Sequence, residues 1–164
     1  MTKYLRVASS GGIEEANTTA TGGAPSADLI PRLNGQGRLD EGMMPVGIAA
    51  DTQIIQATEA LVAGDFVNIH DSTGPRVRKA DASNGRAAHG FVLSAVAANA
   101  NATVYFEGQV VLTGLTPGQR RWLGTAGATT PTPPTTAGHL LQPLGTAITT
   151  TLFATEISDP ITRN

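Results

Sequence analysis

At 164 residues, with a net charge of −2 and 15% charged side chains, the chain is long enough for one domain with a true core plus an appendage. It is too weakly charged for electrostatic capture of nucleic acid or of an anionic membrane. The absence of cysteine excludes a disulfide framework and a thiolate metal site.

Nineteen Gly, ten Pro and 4% aromatics describe short strands joined by many turns around small aliphatic side chains, an all-β composition. With few aromatic rings to bury, burial against a partner is expected to complete the stability. The amino terminus offers no apolar leader-like run, and no apolar stretch approaches the roughly 18 residues of a membrane span. Synthesis in soluble form in a host cytoplasm is the expectation.

Residues 1–50 read as an extended arm. After a β-like run, Lys3–Val7, the stretch from Ser9 to Ser26 shows neither helical nor strand periodicity and is expected to be flexible. Apolar anchors then recur without a regular period: Leu29, Ile30, Leu33, Leu39, Met43, Met44 and Val46, with turns at Asn34-Gly35 and Gln36-Gly37. Such a segment suits lying extended on another surface.

Residues 51–158 read as a β domain. Within it, Leu61-Val-Ala-Gly64 precedes a strand that returns through His89-Gly90-Phe91-Val92-Leu93. Leu115-Thr-Pro-Gly118 precedes a strand that returns through Leu144-Gly145-Thr146-Ala147-Ile148. The near-constant spacing allows two pseudo-repeated halves, each folded at a glycine corner; chance agreement of Leu and Gly is the alternative. Arg76–Ala80 and Ala88–Val96 flank Asn84-Gly85, which predicts a tight hairpin.

Thr103–Glu107 and Gln109–Thr113 read as strands broken at Gly108. Arg120–Gly124 is a short strand. Thr125–Gly138, with Pro131, Pro133 and Pro134, is a surface loop that cannot hold a central strand. His139–Ile148 and Thr150–Ile157 close the domain as a strand pair, and residues 159–164 form a free polar tail.

No common catalytic motif is present: there is no nucleophile elbow, phosphate loop or His-Glu-x-x-His, and Asp40 stands where a dinucleotide turn needs its third glycine. His70, His89 and His139 are scattered, and Asp81–Gly85 lacks the alternating carboxylates of a calcium loop. The expectation is no catalytic residues, no metal, no cofactor and no small-molecule substrate. Arg76, Arg78, Lys79 and Arg86 surround one turn and, with Arg120, Arg121 and Trp122, form a candidate interface; a solvated strand face is the plainer reading.

Gly37-Arg38-Leu39-Asp40-Glu41-Gly42-Met43-Met44-Pro45 resembles a phrase of tailed-bacteriophage structural proteins, found in intertwined necks beside a β domain. The order of turn phrases from Ala60–Ile69 through His89–Val92, Gly114–Gln119, Trp122–Gly124, Pro133-Pro134 and Gln142–Gly145 is similar to that of tailed-phage capsid decoration (cement) proteins. The resemblance covers roughly residues 38–157. It implies a compact β-barrel or β-tulip-like domain, a homotrimer, the major capsid protein as partner, and a place on the capsid exterior of the virion. It leaves no role for nucleic acid or membrane.

Under it, Leu29, Ile30, Leu33, Leu39, Met43 and Met44 become capsid-contact residues of the arm. A tail, baseplate or fibre-base component is the structural alternative. A host-glycan-binding module, with Trp122 and Tyr105 as its platforms, is the alternative from another class.

Overall fold

A computed structural model describes residues 3–26, 29–35, 37–44, 50–71 and 73–164, and these are all-β, with short strands and single-turn 3-10 segments. The chain divides into two compact units, Met1–Ala49 and Ala50–Asn164. No helix among the described residues is long and apolar enough to cross a membrane.

In the first unit, β1 (Lys3–Val7) pairs antiparallel with β2 (Ile13–Asn17). The stretch after Ser9 is therefore not without structure, as its irregular pattern led one to expect. A five-pair backbone ladder holds it; Gly11 takes the positive φ the turn needs, and two exposed cross-strand pairs, Lys3 Nζ with Glu15 Oε2 at 2.6 Å and Arg6 Nε with Glu14 Oε1 at 2.7 Å, flank the register. Further on, Asp40 Oδ1 accepts hydrogen bonds from the amides of Gly22 and Gly42 (both 3.0 Å), and Thr19 bridges Pro31. Gln36 and Pro45–Ala49, with the anchor Val46 and the end of the phage-like phrase, lie outside the described residues.

The second unit opens with a barrel. Its strands β3 (Thr52–Ala57), β4 (Phe66–Asp71), β5 (Pro75–Lys79), β6 (Gly90–Phe91) and β7 (Asn101–Tyr105) close in the order β3-β5-β4-β6-β7. Four pairings are antiparallel and the closing one, β3 with β5, is parallel. Strand alternation points Ile55, Ala57, Val67, Val77, Ala102 and Val104 inward, where with Leu61 and Val92 they form the barrel's core. Small side chains are what so narrow a barrel can hold.

Five later strands make an open sheet: β8 (Gly108–Val111), β9 (Arg120–Leu123), β10 (Thr129–Thr130), β12 (Pro143–Ala147) and β13 (Leu152–Thr155), in the order β10-β9-β12-β13-β8. Taken strand for strand, this is the barrel's order. The hydrogen bonds repeat as well: Gly64 N–H donates to Val92 O as Gly118 does to Ala147 O, and Val92 N–H donates to Asp65 O as Ala147 does to Gln119 O. Val67 faces Gly90 as Arg121 faces Gly145. The doubled Leu-x-x-Gly phrase therefore marks two copies of one five-stranded half, with Gly64 and Gly118 both at positive φ at the corners.

The halves differ at one seam. β3 pairs with β5, whereas the corresponding β8 and β10 do not pair. Phe66 and Phe91, on the outer face of the barrel, pack with Val110, Leu115, Ala147 and Phe153, so the second sheet is filled from the barrel's outside and stays open. The Phe66 and Phe153 rings meet edge-on at 6.3 Å.

Two expectations are corrected here. The hairpin across Asn84-Gly85 does not form, because both edges of β5 are occupied by β4 and β3, and β6 lies on the far side of β4. The turn itself is a 3-10 segment, Ala82–Asn84, capped by the Asp81 carboxylate, with Gly85 and not Asn84 at positive φ. Residues 159–164 do not end free: β14 (Ile161–Thr162) pairs with β11 (Leu140–Leu141), and Gly138 and Arg163 add flanking bonds. The proline-rich loop carries β10 at the sheet edge, the one place where following prolines cost no ladder bond.

Candidate interaction surfaces

The basic set predicted around the β5 turn divides between internal and outward roles. Val77 points into the barrel, so Arg76 and Arg78 share the outer face of β5. Arg78 Nε donates to Asn68 Oδ1 (3.0 Å), and Asn68 passes the contact on through Nδ2 to Ala87 O (2.8 Å). Lys79 Nζ pairs at 3.2 Å with the buried carboxylate of Asp65, whose Oδ2 also accepts from Val62 N–H. These two cations are used within the fold. Arg76 turns back to Pro75 O (3.1 Å).

Arg86 lends its charge to Asp81. Burial pushes the Asp81 carboxyl upward, but hydrogen bonds from Ser83 Oγ, Ala126 N–H and Ser83 N–H, with Arg86 nearby, outweigh it and hold the group below the usual carboxylate range.

The second predicted cluster divides in the same way. Arg120 is exposed, and Trp122 is half-buried at the pairing of β9 with β10 and β12. Arg121 takes the place of the core residue Val67 and lies across the open seam. Its guanidinium donates to Thr129 Oγ1 (3.0 Å), Thr129 O (3.3 Å) and Gly114 O (3.5 Å), so it ties β10 to the segment after β8 where the first half has strand pairing. Tyr105, a candidate sugar platform, stacks on Phe91 at 5.7 Å. That ring is committed to packing.

The histidines stand apart. His70 Nε2 lies 3.3 Å from Thr58 Oγ1, and His89 Nδ1 accepts the Ile69 amide at 2.9 Å. Among the described residues, no three His, Cys, Asp or Glu side chains come together as a metal site. A shallow cleft of about 400 Å³ runs past His89, Phe106, Gln142, Ile157 and Asp159. Gln142 at its base is fully satisfied by Ala88 N–H, Ala88 O and Ser158 O.

Burial lowers the His89 pKa. The unfolded chain therefore binds a proton more readily than the folded one, and the stability from neutral His89 is present above about pH 6.5 and lost as pH falls through the lower folded value. His89→Gln keeps a hydrogen-bond acceptor without a titrating ring. Urea midpoints between pH 7 and pH 5 are expected to fall less steeply in this variant than in the wild type; equal slopes would remove His89 from the account.

The predicted arm residues lie in the first unit. Ile30, Leu33, Leu39 and Met44 are exposed, and Leu29 and Met43 are half-buried. A surface missed by sequence reasoning joins them. On one face of the hairpin Leu5, Val7 and Ile13 are 70%, 73% and 75% exposed, while Ala16 on the other face is buried. The register Lys3-Leu5-Val7 opposite Asn17-Glu15-Ile13 was the available signal, legible only once Ile13–Asn17 is recognised as a strand.

No family model matches the chain, and no curated protein sequence matches it. Among solved structures it is similar to the N base of head fiber gp8.5 of bacteriophage phi29, with 16% identity over 67% of this chain and 95% of that one and a TM-score of 0.46.

Proposed function

We propose that this chain is a non-enzymatic bacteriophage virion structural protein, a capsid decoration or minor capsid protein that binds the outside of the major capsid shell and braces it. The observation that carries the reading is the composition of the first unit's surface. Leu5, Val7, Ile13, Ile30, Leu33, Leu39 and Met44 all face solvent there, and among the described residues of this unit Ala16 is the one buried apolar side chain. A unit that exposes this many large aliphatics gains its stability by being covered. The phage-like phrase from Gly37 onward falls in the same unit.

The mechanism is linkage. A protein that binds the assembled shell and not its separated subunits stabilises the shell by its own binding free energy. The β unit supplies the rigid body and the first unit supplies the contact.

The test is occupancy on purified shells. Removal of residues 1–49 is expected to abolish binding and to return the shell to its undecorated melting temperature. Leu33→Asp with Leu39→Asp in the full chain is expected to weaken binding by at least about tenfold, since each buried Leu contributes about 1.5–3 kcal/mol. Undiminished occupancy with either protein would overturn the reading.

A further inference from the structure

We infer that Asn34 is a self-modification site: the backbone nitrogen of Gly35 attacks the Asn34 side chain, and position 34 becomes aspartyl or isoaspartyl with loss of ammonia. The sequence holds two Asn-Gly steps, Asn34-Gly35 and Asn84-Gly85. Glycine makes such a step reactive, because no Cβ shields its nitrogen from the preceding side chain. The fold treats the two steps oppositely.

At Asn84 the nucleophile is engaged. Ala82–Asn84 form a 3-10 segment, whose i to i+3 pattern closes the Gly85 amide on Ala82 O, and Gly85 caps the segment at φ +75°. The Asp81 carboxylate accepts from Ser83 N–H and Ala126 N–H and so pins the turn from both ends. An amide held in this way is not free to close on the Asn84 side chain.

At Asn34 the arrangement is reversed. Asn34 N–H donates to Arg38 O at 2.8 Å, Asn34 O accepts Gly37 N–H at 3.0 Å, and Asn34 Oδ1 accepts Arg38 N–H at 3.0 Å. The last bond draws electron density from Cγ and offers the oxygen a donor as negative charge develops on it during attack. Gly35 is exposed, its amide has no acceptor among the described residues, and a Cβ at its position would meet nothing within 4 Å. The electrophile is polarised and the nucleophile is open.

The chemistry balances with water alone. Gly35 N gives its proton to solvent and bonds to Asn34 Cγ; the Cγ–Nδ2 bond breaks, and the nitrogen takes a proton from solvent and leaves as ammonia. Water then opens the five-membered imide, at Cγ to give the aspartyl form or at the backbone carbonyl to give the isoaspartyl form. One water is consumed for each ammonia released. The turn between the exposed Leu33 and Leu39 gains a carboxylate and, in the isoaspartyl form, one more main-chain carbon. Both the charge and the reach of that apolar surface change. This inference is independent of the capsid reading.

Peptide mapping by mass spectrometry tests it, on the full chain aged in mildly alkaline buffer with and without urea. Each conversion adds about 1 Da. In the folded chain the Asn34 peptide is expected to convert at least about tenfold faster than the Asn84 peptide. In urea the two rates are expected to converge, since the dipeptides are the same. Gly35→Ala is expected to slow the folded conversion by about tenfold or more, and Asn34→Gln, which would need a six-membered ring, to stop it. A folded chain in which Asn84 converts as fast as Asn34 would overturn the inference. So would a folded Asn34 that stays unconverted while the urea-treated chain reacts, or a preference that persists unchanged in urea.

Discussion

Phe66→Ala is expected to destabilise the β unit by about 3–5 kcal/mol, the cost of deleting a fully buried phenylalanine whose cavity cannot collapse. Phe66 is 0% exposed and touches Phe91 and Phe153 with ring centroids 6.0 and 6.3 Å apart. It stands on β4 of the closed barrel but points outward, into the face of the open sheet. Its loss therefore removes core from the contact between the halves and not from the barrel's interior.

Val67→Ala, one residue along and pointing inward, is the contrasting variant. It removes a smaller side chain from the cluster with Val77 and Val92, and about 1–3 kcal/mol is expected. Chemical denaturation of both proteins checks the pair. A Phe66→Ala cost below that of Val67→Ala would show that the halves do not depend on each other.

Gly145→Ala is expected to cost about 3 kcal/mol or more, or to prevent folding. A Cβ built at this position would sit 2.0 Å from Ala154 O and 2.9 Å from Glu156 N, and the residue's φ is +139°. Both contacts are backbone of the paired strand, so nothing can rotate away, and the φ itself is one that L residues avoid. Gly90, its counterpart in the first half, has the same problem with Tyr105 O at 2.6 Å.

The control is Gly118→Ala. Its φ is +78° and no atom lies within 4 Å, so only the left-handed strain of about 1–2 kcal/mol is expected. Thermal melts of the two variants separate close backbone approach from backbone angle. Equal losses would mean that the strand contact at Gly145 relaxes freely.

The glycine corners were legible because their requirement is local. A chain that reverses between Leu61 and Phe66, or between Leu115 and Arg120, needs a positive φ, and Gly64 and Gly118 declare it. The all-β class and the final strand pair, β12 with β13, were legible for similar reasons, through composition and alternation. The Asn84-Gly85 turn was also legible, but a turn names the place where the chain bends and not the strand that follows it home. There, partners on both sides of β5 and the Asp81 cap decided the outcome.

The candidate surfaces were legible as residue types and not as roles. Arg78, Lys79 and Arg121 look in the sequence like Arg76, Arg86 and Arg120, but the fold engages the first three through Asn68, Asp65 and Thr129. Ion pairing and side-chain hydrogen bonding depend on residues distant along the chain, which spacing cannot report. The Leu5, Val7 and Ile13 face was missed for the same reason, since it exists only through the β1–β2 register.

By itself the sequence determined an all-β chain with two glycine corners and a low density of charge, because propensity, backbone angle and charge are properties of short stretches. Only the tertiary structure decided that the repeated phrase is a doubled half, that one copy closes and the other stays open at β8 and β10, and that Phe66 and Phe91 fill the opening. Closure depends on which strands share hydrogen bonds and which faces find apolar surface to cover, and both are set by contacts between residues far apart in the chain.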